Sequence, residues 1–177
     1  QRHFLGAKQL AELVTPPTVE SQEMLVDVLN QWAFVYYYRG RFRDLQKLFD
    51  ANQPVVESLS DRSRLGMYNA WQGWTLWHRG FFEAAYHKMR KALELGEEAN
   101  DSDVVRHPCT WLTWTSADTG RLDEAVEHAD RAIELYDRGQ TRSPYIYFNS
   151  LAGKGYVCWH RGERSSTAAI SERLLKF

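Results

Sequence analysis

Four aromatic side chains, Phe34, Trp74, Trp114 and Tyr156, each stand six residues before a glycine: Gly40, Gly80, Gly120 and Gly162. Three residues before the same glycines come Tyr37, Trp77 and Trp159, with Ala117 breaking the series. Two residues before them come Tyr38, His78, Asp118 and His160. Tyrosine and tryptophan bury large area at low entropy cost and keep one polar handle each, so such columns can grip an extended peptide or a helix. The same spacing also suits a core stripe, which is the commoner use of aromatics at helical period.

The other reactive side chains form no catalytic or metal-binding pattern. The six histidines, His3, His78, His87, His107, His128 and His160, show no HExxH and no paired metal spacing. There is no glycine-rich phosphate loop, no GxSxG and no Cys-His arrangement with an orienting partner. His78 and Glu83 straddle a turn, with nothing beside them to orient a nucleophile. Cys109 and Cys158 each fall inside an expected helix without a partner at metal spacing, and read as buried, inert thiols in a reducing cytosol. The expectation is no cofactor, no metal and no intrinsic catalysis. Arg39, Arg41 and Arg43 form a basic cluster, with Arg79, Arg161 and Arg164 near equivalent turns. They could hold an acidic partner or phosphate, although such arginines more often solvate a helix end and complement its dipole.

The elements that position these columns repeat. WQGWTLWHRGFFEAAYHKMRKALEL, from Trp71 to Leu95, is followed one unit later by WLTWTSADTGRLDEAVEHADRAIEL, from Trp111 to Leu135. Trp71 falls on Trp111, Trp74 on Trp114, Gly80 on Gly120, Ala85 on Ala125, Ala92 on Ala132 and Leu95 on Leu135. One unit earlier Gly80 falls on Gly40 and Phe82 on Phe42, and the fourth turn glycine, Gly162, arrives two residues late. Self-similarity at a fixed period is the signature of a solenoid.

Reading the chain through gives about nine helices and no strand; only VYYYRG at 35–40 tempts a strand assignment. An amphipathic helix over residues 1–14 ends at TPPT. Helices follow over Ser21–Arg39, with Ser21 as N-cap, and over Phe42–Asn52, which Pro54 is expected to close. Three further pairs cover Arg64–Arg79 and Phe81–Glu98, Val104–Thr119 and Leu122–Arg138, and Tyr145–Arg161 and Gly162 to Phe177. The units therefore divide at about 1–20, 21–62, 63–102, 103–143 and 144–177 within one repeat domain. The first helix reads as the second half of a truncated unit, and ISERLLKF carries no polar cap, so the chain reads as a piece of a longer protein.

Bulk composition narrows the function classes. With 44% hydrophobic, 14% aromatic and 25% charged residues, the chain has enough apolar content to order. Its net charge of −1 gives no overall basic field for nucleic acid. No apolar run approaches the roughly 18 residues of a membrane span.

These residues resemble the tetratricopeptide repeat family. Gly120–Leu135, GRLDEAVEHADRAIEL, carries the family's turn glycine, the leucine two later, the Glu-Ala pair and the final alanine followed by an aliphatic. Phe82, Ala85, Ala92 and Leu95 repeat the match, and the small residue wanted seven before each glycine is Ala33, Gly73, Thr113 or Gly155. Leu45 and Asn52 depart from the pattern in the first unit, and Arg164, Thr167 and Leu174 in the fourth. The glycine spacing exceeds the ~34 residues of the standard repeat. In that respect the chain is similar to the divergent C-terminal tails of bacterial ATPase-linked adenylate or guanylate cyclases and of STAND-type regulators.

The resemblance implies an all-α, right-handed superhelix of antiparallel hairpins whose first helices line a concave groove. The Phe34/Trp74/Trp114/Tyr156 column then lies on that groove or at the edge of the core. Core packing is favoured for Tyr37, Trp77 and Trp159, because inner helices have partners on several sides. Tyr38, His78 and His160 lie alongside. The Lys, Asn and Arg clamp that some members use for a chaperone's carboxylate is absent, since Asn30, Ala70, Thr110 and Ala152 hold the equivalent positions. The implied role is non-catalytic: a cytoplasmic interaction or regulatory domain binding a protein segment, including one of its own polypeptide, with neither nucleic acid nor membrane as partner. Two alternatives stand beside it, a small-ligand sensor and a self-association module.

Overall fold

A computed structural model of the chain describes residues 18–139 and 143–176. Those residues form eight α-helices and no strand: α1 (Val19–Tyr38), α2 (Phe42–Glu57), α3 (Arg62–His78), α4 (Phe82–Glu98), α5 (Ser102–Asp118), α6 (Leu122–Asp137), α7 (Pro144–His160) and α8 (Arg164–Leu175). They pair as four hairpins stacked into a right-handed superhelical solenoid. The helix expected over residues 1–14 lies outside the described residues. Val35–Tyr38, the strand-like run, is the last turn of α1.

The four turn glycines set the phase of everything before them. Gly40, Gly80, Gly120 and Gly162 have φ of 63°, 82°, 80° and 74°, a left-handed conformation open to glycine at little cost. Each turn closes with the same pair of bonds. The Gly40 amide donates to the Tyr37 carbonyl and the Arg41 amide to that of Tyr36, at 2.9 and 3.0 Å. The equivalent pairs follow at Gly80 and Phe81, Gly120 and Arg121, and Gly162 and Glu163. This is the Schellman closure, and it fixes each aromatic column relative to its helix end.

Helix starts depart from the sequence expectation in an instructive way. The N-cap of α1 is Thr18, whose hydroxyl accepts from the Ser21 amide while Ser21 reciprocates to the Thr18 amide at 3.0 Å. Ser21 is therefore the returning partner of a capping box, not the cap itself. Asp61, Asp101 and Ser143 cap α3, α5 and α7, two or three residues upstream of the expected starts. Pro54 does not end α2, which runs on to Glu57. A proline removes one main-chain donor, but Val56 and Leu59 beyond it are buried, and that packing outweighs the lost bond.

The second helices bury apolar side chains against the first. Leu45, Phe49 and Val56 do so on α2, Ala85, Met89 and Ala92 on α4, and Ala125, Ala129 and Ala132 on α6. Close approach within the second hairpin depends on glycine: a β-carbon on Gly73 would lie 3.0 Å from the Ala85 carbonyl oxygen. Helix α8 buries no side chain fully, so the fourth hairpin is the thinnest part of the solenoid.

Candidate aromatic interaction site

The inner helices α1, α3, α5 and α7 hold most of the aromatic rings among the described residues, and the rings touch from one unit to the next. Trp74 is the centre. Its ring stacks on Trp111 at 3.7 Å and on Trp77 at 4.7 Å, with His78 edge-on at 4.5 Å. The four residues of the first column do not share one environment. Phe34 is 42% exposed and packs edge-on to Trp71, whereas Trp74 is only 5% exposed. Trp114 and Tyr156 are half-buried, with rings 5.5 Å apart. Trp74 is thus a core residue in this fold, and its Nε1 is buried without a hydrogen-bond partner, as is that of Trp114.

The second column divides as sharply. Tyr37 and Trp77 are half-buried, while Trp159 is 65% exposed. Trp77 Nε1 donates to the Asp118 carboxylate at 2.7 Å, tying the second hairpin to the third. In the last column Tyr38 is 65% exposed and His160 is exposed beside Tyr156 and Trp159. His78 is exposed on one side. It stacks flat on Phe42 at 4.1 Å, with Tyr37, Trp74 and Trp77 against its other edges. That desolvation pushes its pKa down to about 4, so it is neutral near pH 7.

The curl of the solenoid adds a feature that no column contains. The hydroxyls of Tyr37, at the end of α1, and Tyr145, at the start of α7, lie 2.8 Å apart although 108 residues separate them. The first and fourth inner helices thus reach each other across the concave side through these two side chains. Tyr145 also packs on Trp111, and burial with the Tyr37 contact raises its hydroxyl pKa. Trp71, Trp111 and Tyr145 mark this inner face, yet the sequence columns omit them. Trp71 and Trp111 could have been found as a fourth column, nine residues before Gly80 and Gly120.

Other candidate chemistry is quiet. Among the described residues no three His, Cys, Asp or Glu side chains gather where they could hold a metal ion, and no helix is long and apolar enough to cross a membrane. Cys109 and Cys158 are buried free thiols, and burial pushes the Cys109 thiol up to about 12. His107 and His128 are driven down to about 3 and about 4, chiefly by burial.

The geometry defines a TPR-like helical repeat, and solved structures share it. One is BtubC (BKLC) from P. vanneervenii, with a TM-score of 0.78 at 14% identity, covering 98% of this chain and 69% of that one. Two are crystal structures of nearly identical TPR-like repeats from a Podosopora anserina kinesin light chain candidate. Their TM-scores are 0.63 and 0.60 at 15% identity, covering 98% of this chain and 85% and 86% of theirs. At such identities the likeness concerns the fold. No protein-family model matches the chain, and no curated protein matches it.

Proposed function

We propose that this chain is a non-catalytic interaction domain that binds a protein segment, or a neighbouring domain of its own polypeptide, at the aromatic margin of its concave face. The observation that carries the reading is the exposure of Phe34, Tyr38 and Trp159 on the same inner helices where Trp32, Tyr68, Trp71, Trp74 and Trp111 are packed away. Large exposed aromatics on a rigid scaffold are the usual anchors of a protein interface, because they bury area with little loss of rotamer freedom. The buried rings hold the scaffold, and the exposed ones are left to contact a partner. The long repeat period and the sequence resemblance to cyclase and STAND tails favour, as part of this proposal, a setting in a cytoplasmic bacterial signalling or regulatory protein.

The test is selection of peptides from a random library on the immobilised chain, followed by titration against Phe34→Ala, Tyr38→Ala and Trp159→Ala. Selected peptides should lose about tenfold or more in affinity with at least one of these variants. Peptides indifferent to all three substitutions would remove the aromatic margin as the binding surface.

A further inference from the structure

At each seam of this solenoid acids of one hairpin meet bases of the next, Glu23 and Asp27 receiving Arg64 at the first, and the seams differ near their turns. Near the turns, Glu83 receives Arg121 at 3.0 Å and Asp123 receives Arg161. Both acids stand three residues after their turn glycine. The first hairpin carries Arg43 at that position. Arg79 stands one residue before its glycine as Arg161 does, and the repeat position that holds the acid for Arg161 holds Arg43 for Arg79. Between these two turns opens a cleft of about 530 Å³, lined by Arg41, Arg43, Arg79, Phe42, His78 and Phe81 among others.

The charges in the cleft do not cancel. Among the described residues Asp44 is its only lining carboxylate, and Arg41 takes it up at 2.7 Å. Arg79 lies over the Phe81 ring at 4.9 Å, which positions the guanidinium without neutralising it. Arg43 and Arg79 are both exposed and together leave two positive charges. The amides at the start of α2 add donors, since no side chain caps that helix, although the other second helices also lack a cap. The arginines distinguish this seam from the others.

We propose that this cleft binds a phosphate monoester, with Arg43 and Arg79 as its principal ligands. A phosphate monoester carries close to two negative charges and three free oxygens, so two guanidiniums from separate turns can both be satisfied by it. A carboxylate, with one charge and two oxygens, fills only one of them. A phosphorylated side chain of the partner segment is the source that suits the proposed function; the anion site itself does not rest on that reading.

The experiment titrates the ¹⁵N-labelled chain with three short peptides that differ only in phosphoserine, glutamate or serine, and separately with inorganic phosphate. Phosphoserine should shift the Nε–Hε signals of Arg43 and Arg79 and bind about tenfold tighter than glutamate, weakening as salt is raised. Arg43→Glu introduces the acid found at the second and third turns and should abolish binding, and Arg79→Gln should weaken it about fivefold or more. Arg138→Gln, on a different turn, should bind as the parent chain does. Unchanged far-UV spectra and denaturation midpoints identify the variants as folded. If inorganic phosphate shifts both arginines and the phosphopeptide binds no tighter, the anion site stands and the segment-binding reading loses support. Absence of shifts at both arginines with every phosphate probe overturns the proposal, as does undiminished binding by Arg43→Glu.

Discussion

Trp77 and Trp159 occupy the same phase of the repeat, three residues before a glycine in a Schellman turn, yet they live in different surroundings. Trp77 stacks on Trp74, approaches Trp114 at 6.5 Å and donates to Asp118. Trp159 touches His160 at 4.7 Å and is 65% exposed. The turn fixes where each ring leaves its helix. The next hairpin decides whether the ring becomes core, because Trp114 and Asp118 belong to the unit that follows Trp77. The middle of this solenoid is therefore held by aromatic packing between units, and the fourth hairpin presents the same kind of side chain to solvent.

The largest expected effect breaks that comparison at its centre. Trp74→Ala removes a buried ring that stacks on Trp77 and Trp111, and should cost about 3–5 kcal/mol of unfolding free energy. Trp159→Ala should cost less than about 1 kcal/mol, since little of that ring is packed. Urea denaturation followed by far-UV circular dichroism measures both. Equal losses would mean that Trp159 is core under solution conditions and that the two regions do not differ.

The same contrast explains what could be read from the sequence. Glycine positions announced the hairpins and the phase of each column, because the Schellman turn is local chemistry. Depth was not legible from phase. Phe34 and Trp74 share a column, but Trp111 of the following unit seals Trp74, while Phe34 has Trp71 on its edge and remains 42% exposed. The Tyr37–Tyr145 contact was beyond reach altogether, since it depends on the summed curl of four hairpins. Proline was misleading for a related reason: the local rule closes α2 at Pro54, and burial of Val56 and Leu59 overrides it.

A second prediction sharpens the comparison through pH. His107 and His128 sit in the packed third hairpin with pKa values lowered from 6.5 to about 3 and about 4. The fold favours their neutral forms, so the unfolded chain binds more protons below pH 6.5. The stability that depends on them is complete above that value and is lost as pH falls through 6 and 5 towards 4. Taken at full value the two together amount to about 5 kcal/mol over this range. The check is the denaturation midpoint measured at several pH values, with His128→Gln expected to flatten the slope. A midpoint independent of pH between 6.5 and 4 would show that these imidazoles are hydrated in solution.

The smallest effect isolates the bond that separates Trp77 from Trp159. Trp77→Phe removes the Nε1 donor and keeps an aromatic ring, and Asp118→Ala removes the acceptor. Each single change also disturbs other contacts, Trp77 through its stack on Trp74 above all. A double-mutant cycle cancels those separate costs and leaves the coupling alone. The bond is charge-assisted at 2.7 Å but open to solvent, so a coupling of about 0.5–1 kcal/mol is expected. The parallel cycle with Trp159→Phe and Asp118→Ala should give a coupling near zero, since no contact joins that pair. Should the Trp77 cycle also give none, the seam between the second and third hairpins would rest on ring packing alone. Trp77 and Trp159 would then differ in burial only, and the carboxylate at Asp118 would be as free for a partner as any other surface acid.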